Sequence, residues 1–291
     1  RLLSELNTTS SNEQQEAIMV LVPDLLACGS ASQPKGETTK VKRRLPLFGV
    51  KDWSSQLLQL MDQVEQEEKG PIDWCIVSNG GCVSIALETG AQYVEAADKK
   101  RQPSRGKLTN MVLSATPRLP SLLRDPPPPE KVEKSYRFLS GITGKLFWWY
   151  SLRNNGKFIR KFSERSLVAD PANLGEDWTP QCVATAKIPN SKYSTFSFLA
   201  GALQHDCRPA FAVLGEKKIP IDVISSPRKK NEKPSARSWF WEHKRKLEPK
   251  TEEEKRLSQY LSRNGNGGGE IFVGGRICLA HEDSVGYAKA L

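Results

Sequence analysis

The sequence predicts an α+β fold, an antiparallel, β-rich sandwich or partial barrel with a few short helices. Three observations point there. Glycine and proline number 21 and 19 among 291 residues, a density of turn formers that disfavours a helical bundle. Many short apolar runs alternate with polar residues at the two-residue period of a strand. Two pairs of such runs are separated by Asn79-Gly80 or Asn155-Gly156, the dipeptide that tight hairpins favour because both residues tolerate positive φ.

Taken in order, the elements begin with a helix over 12–28. Asn12 can cap it, the residues after it are good helix formers, and Pro23 breaks or kinks it. A basic loop follows at 30–46. Trp53, Leu57, Leu60, Met61 and Val64 form one continuous apolar stripe, which predicts a helix capped by Asp52 or Ser54 and ended by Gly70-Pro71. Residues 72–77 and 82–87 read as paired strands joined by the turn 78–81. Residues 99–107 form a basic, polar linker, and the four prolines at 126–129 make a stiff, extended one.

Beyond the prolines, 145–153 and 157–162 read as a second strand pair about the turn 154–156. Further strands are expected at 181–188, 193–199, 210–214, 219–225 and 271–280. One short helix precedes the last of them. Thr251 and Glu254 form a capping box, Leu257 and Leu261 face inward, and Asn264-Gly265 stops it. The chain thus divides into a near-neutral, mixed α/β part at 1–120, a proline-rich linker at 121–134 and a basic, β-rich domain at 135–291.

Charge follows the same division. Residues 1–130 hold 15 Lys and Arg against 16 Asp and Glu, whereas 131–291 hold 28 against 17. A field so lopsided favours a polyanionic partner, because Lys and Arg that neutralise phosphates release condensed counterions. Two stretches concentrate it. In 135–165, read as strands, Leu146, Trp148, Tyr150 and Leu152 point to one side and Phe147, Trp149 and Arg153 to the other. Arg153, Lys157, Arg160 and Lys161 are the candidate phosphate contacts there, with Trp149 as a stacking ring. In 227–248 the candidates are Arg228, Lys229, Lys230, Arg237, Lys244, Arg245 and Lys246, anchored by Trp239 and Trp241.

Other classes are disfavoured. No apolar run approaches the roughly 18 residues that a membrane helix needs, so no transmembrane segment is expected. Cysteines at 28, 75, 82, 182, 207 and 278 form no CxxC pair and have no histidine at zinc-finger spacing. Free thiols in a reducing, intracellular compartment and no bound metal follow. No HExxH, GxSxG or Walker pattern occurs, and no cofactor is expected. The glycine-rich segment 264–269 follows a helix and precedes a strand, the reverse of a phosphate loop, and reads as a flexible turn. His205-Asp206-Cys207 brings an imidazole and a thiol to one side of an extended chain, but nothing in the sequence marks an oxyanion hole. The chain starts at Arg1, so a targeting signal is not among its residues, and residence in an organelle or a virion is compatible with it.

The function these features predict is non-enzymatic: a structural RNA-binding subunit of a ribonucleoprotein, such as an accessory ribosomal protein of an organelle, with other protein subunits as partners. The alternative is a viral matrix, nucleocapsid or coat protein that self-assembles and contacts genome or anionic lipid. A third reading is an enzyme built on the Cys/His segment.

Overall fold

A computed structural model describes residues 19–28, 47–68, 72–100, 106–114, 122–168, 170–225 and 270–272. It overturns the antiparallel, β-rich expectation. The described residues form eight α-helices and a parallel sheet of four strands, the last of only three residues. The order is α1 (Val50–Glu67), β1 (Asp73–Asn79), α2 (Val83–Lys100), β2 (Lys107–Ser114), α3 (Pro129–Leu139), α4 (Ile142–Phe147), α5 (Gly156–Ser166), α6 (Trp178–Lys187), α7 (Lys192–Ala200), α8 (Arg208–Glu216), β3 (Ile221–Ser225) and β4 (Glu270–Phe272). The strands lie side by side in chain order.

The helix expected over 53–64 forms as α1, and its Trp53, Met61 and Val64 are buried. Its first turn is closed by Asp52, whose carboxylate accepts the Gly49 N–H at 2.7 Å. Of the helix expected at 12–28, the described residues 19–28 are not helical. They lie along α1, held where the Trp53 indole donates to the Leu26 carbonyl at 3.1 Å and the Leu26 N–H donates to Gln56 at 2.8 Å.

β1 and β3 form where strands were expected, but the partner of β1 is not the segment after the Asn-Gly turn. That segment is α2. Its Val83, Ala86, Leu87 and Ala91 recur at helical spacing and are buried in the main core. β1 pairs instead with β2, in parallel, with an irregularity beside Trp74 and Cys75. β2 pairs with β3 in parallel from Met111 to Ser114, and β4 continues the sheet along β3.

Because successive strands advance in one direction, right-handed crossovers place their helices on one face. Met61 of α1, Leu87 of α2, Met111 and Leu113 of β2, Phe211 and Leu214 of α8, and Ile221 of β3 share one core on that face. Leu122 and Leu123, just before the prolines, are buried in the same core.

Between β2 and α8 the chain departs to build a separate helical module. The strands expected at 145–153, 157–162, 181–188 and 193–199 are all helical here, as is 210–214, which lies in α8. A π-helical turn at Trp148–Arg153 joins α4 to α5, and Asn155 caps α5 by accepting the Phe158 N–H at 3.0 Å. Tyr136, Trp148, Ala186 and Phe196 form the module's core. The Trp148 and Phe196 rings meet edge to face at 5.9 Å, and the Trp148 indole donates to the Ala186 carbonyl at 3.1 Å. Of the strand expected at 271–280, only Ile271 and Phe272 are described, in β4. The helix expected at 251–261 and the glycine-rich 264–269 lie outside the described residues.

Candidate active site

Beyond the carboxyl ends of parallel strands, connecting loops and helix N-termini converge. Here that edge carries Ser78 and Asn79 at the end of β1 and Ser114 at the end of β2, with Asn79 in register with Ser114. The Ser114 hydroxyl donates to the Ser78 carbonyl at 2.9 Å and stands 3.0 Å from the Asn79 side-chain oxygen. The two strand ends are thereby locked together.

The Ser78 hydroxyl itself is different. Its residue is 8 % exposed and its oxygen has no hydrogen-bond partner. Immediately after it, Asn79-Gly80-Gly81 turns the chain from strand to helix. Gly80 has φ of +57°, the left-handed region that side chains disfavour. A single 3₁₀ turn at Gly80–Cys82 leads into α2. Gly81 is favoured for another reason. A Cβ there would stand 3.0 Å from the Phe198 ring of α7 and 3.2 Å from Leu203, so the absence of a side chain lets the end of the helical module close over the turn. The first backbone N–H groups of this helical run have no intrahelical acceptor, and the helix dipole adds partial positive charge at the same place.

A second polar group lies along α2. Ser84, Glu88, His205 and Cys207 converge between α2 and the start of α8. His205 Nε2 lies 3.1 Å from Glu88 Oε2. The hydrogen bond from His205 is the main reason that the Glu88 carboxyl is held below its ordinary pKa; burial opposes it, and Gln92 assists. Next along the chain, Asp206 takes hydrogen bonds from Arg208, which lower its pKa, and Arg208 also reaches Asp125. Arg208 thus ties the proline-rich segment to α8.

The Cys207 thiol is poorly placed to ionise. The residue is wholly buried, and burial pushes its thiol up to about 12. Its sulfur lies 3.7 Å from the His205 carbonyl oxygen, and the Ser84 side chain is a further partner. The other described cysteines, 28, 75, 82 and 182, also have thiols raised by burial.

The phosphate-contact candidates occupy helices rather than strands. Lys157 and Lys161 are exposed on α5. Arg160 is a structural clasp: it pairs with Glu164 at 2.7 Å and donates to the carbonyls of Leu174, Gly175 and Pro171. Trp149 is exposed, with the Arg153 guanidinium 4.7 Å over its ring. Arg228, Lys229, Lys230, Arg237, Lys244, Arg245, Lys246, Trp239 and Trp241 lie outside the described residues. The serine at the strand-to-helix turn was missed in the sequence because Ile76 stands where a GxSxG pattern has its first glycine. The available signal was Ser78-x-Gly80 between a strand and a helix. Among the described residues, no helix is long and apolar enough to cross a membrane. No protein-family model matches the chain, and no curated protein matches it.

Proposed function

We propose that the chain carries the nucleophile of an acyl-transfer hydrolase, with Ser78 attacking an ester or amide carbonyl. One observation carries this reading. A hydroxyl more than nine-tenths buried is left without a partner at the carboxyl end of a parallel strand, two residues before a left-handed glycine that opens a helix. Buried polar groups are nearly always paired, and a native exception calls for a reason. A strand–turn–helix elbow is how hydrolases present a nucleophilic serine, with the backbone N–H of the following residue as an oxyanion donor.

In the reaction, the Ser78 oxygen bonds to the substrate's carbonyl carbon while its proton passes to a base. The carbonyl oxygen becomes an oxyanion, stabilised by backbone N–H groups at the start of the Asn79–Val83 turn. Collapse of that intermediate breaks the bond to the leaving group, which takes the proton from the base, and water then frees the acyl group by the reverse sequence. Histidine is the usual base. His205 has a carboxylate partner in Glu88, the second element such a base needs. The proposal departs from the non-enzymatic expectation, which rested on the basic C-terminal charge and on the lack of a HExxH, GxSxG or Walker pattern.

The test is covalent. A fluorophosphonate probe added to the full chain should label Ser78, mapped by peptide mass spectrometry, and Ser78→Ala should lose the label. His205→Ala should then slow labelling by orders of magnitude if His205 is the base. A folded chain that remains unlabelled at Ser78, beside a control hydrolase that is labelled, would refute the assignment.

A further inference from the structure

We infer that the helical module docks on an anionic lipid surface through an apolar ridge made by Phe138, Ile142, Leu146 and Tyr150. These four residues recur at four-residue spacing from the end of α3, through α4, into the π-helical turn. They are 65, 80, 51 and 68 % exposed, and Trp149 beside them is 48 % exposed. α4 sits tightly against the end of α3. A Cβ at Gly144 would fall 1.7 Å from the Leu139 carbonyl oxygen, so only glycine allows that approach. Several large apolar side chains left exposed within one short segment of a folded protein mark an interaction site.

Charge selects the occupant. Residues 131–166 hold nine Lys and Arg against two Glu. The cations crowd one another: the Lys192 ammonium is held below its ordinary pKa by burial first, and then by the nearby charges of Lys145 and Arg153. Aromatic and aliphatic residues on one side with Lys and Arg around them is the composition of an interfacial helix face, and Tyr and Trp favour the headgroup level. Anionic headgroups attract such a cluster, by about 1 kcal/mol for each Lys or Arg near the surface. Nucleic acid fits the ridge less well. Ile142 and Leu146 offer no ring for a base to stack on, and the Trp149 ring is already covered on one face by Arg153.

This inference does not depend on Ser78 being a nucleophile, and its test uses no catalytic readout. The full chain should float with phosphatidylcholine vesicles containing about 30 % phosphatidylserine, and much less with phosphatidylcholine alone. Raising salt to about 0.5 M should weaken binding by shortening the screening length. Ile142→Asp with Leu146→Asp, both at exposed positions, should leave the melting temperature unchanged and lower the partition coefficient about tenfold or more. The inference is overturned if the chain ignores the anionic vesicles, or if the double variant binds them as well as the parent. It is equally overturned if poly(U) binds the chain and the vesicles do not, in which case the surface serves nucleic acid.

Discussion

Removing the Ser78 hydroxyl should stabilise the protein while abolishing its reactivity, and removing the Ser114 hydroxyl should do neither. The two serines end adjacent strands, one residue out of register, and both are buried. Ser114 is satisfied by contacts at 2.9 and 3.0 Å, whereas Ser78 Oγ has none. Leaving a polar group buried and unpaired costs about 1–3 kcal/mol, and a made hydrogen bond contributes about 0.5–1.5 kcal/mol. Ser78→Ala removes the unpaired oxygen and opens a void of only one atom. A net gain of about 1 kcal/mol follows, a rise of about 2–4 °C in melting temperature for a chain of this size. Ser114→Ala instead strips the Ser78 carbonyl of its donor and loosens the lock between β1 and β2, a loss of about 1–2 kcal/mol. Urea denaturation of the three proteins under one buffer, with fluorophosphonate labelling in parallel, reads both effects. Equal destabilisation by the two substitutions would mean that the Ser78 hydroxyl is an ordinary structural contact, and the reasoning would fail.

Cys207, with its thiol near 12, has a thiolate fraction of about one in ten thousand at pH 8. Iodoacetamide should therefore modify Cys75 and Cys82, exposed residues whose thiols are only partly covered, long before the wholly buried Cys207, and equal rates would contradict the burial described. The depressed carboxyl of Glu88 gives stability that is fully present above its unfolded pKa and is lost as pH falls through the lower folded value. Glu88→Gln should accordingly flatten the acid limb of the stability curve below about pH 5, measured by urea midpoints, and leave the neutral limb with a constant offset.

Within the sheet β1 and β3 were legible as strands, but β2 between them and the parallel pairing were not, and most of the helical module was not, for a reason visible in particular residues. The α1 stripe of Trp53, Met61 and Val64 has gaps filled by polar residues, so only one period fits it. Residues 146–150, Leu-Phe-Trp-Trp-Tyr, are apolar without interruption. A period of two and a period of 3.6 describe such a run equally well, and aromatic content tips a sequence reading towards strand. What decides in the fold is tertiary: Trp148 alone of the five is buried, packed on Phe196. At α7 the same ambiguity holds, because Tyr193, Phe196 and Phe198 suit either period and only Phe196 is fully enclosed.

The site was hidden by the same kind of ambiguity at a smaller scale. Asn-Gly is a signal that the chain will turn with positive φ, and Gly80 does so. It does not say what the chain enters afterwards. That is set by the next turn of sequence, where Ala86, Leu87, Glu88 and Ala91 combine helix formers with a 3.6-residue apolar stripe that a strand cannot bury on one side. A hairpin would have returned 82–87 antiparallel beside β1 and left Ser78 in the body of a ribbon. Because α2 forms instead, β1 must find a parallel partner, and Ser78 comes to stand where a strand ends and a helix begins. The chemistry proposed for that serine is thus a consequence of helix propensity several residues downstream of it, and of Gly81 giving the module room to close over the turn.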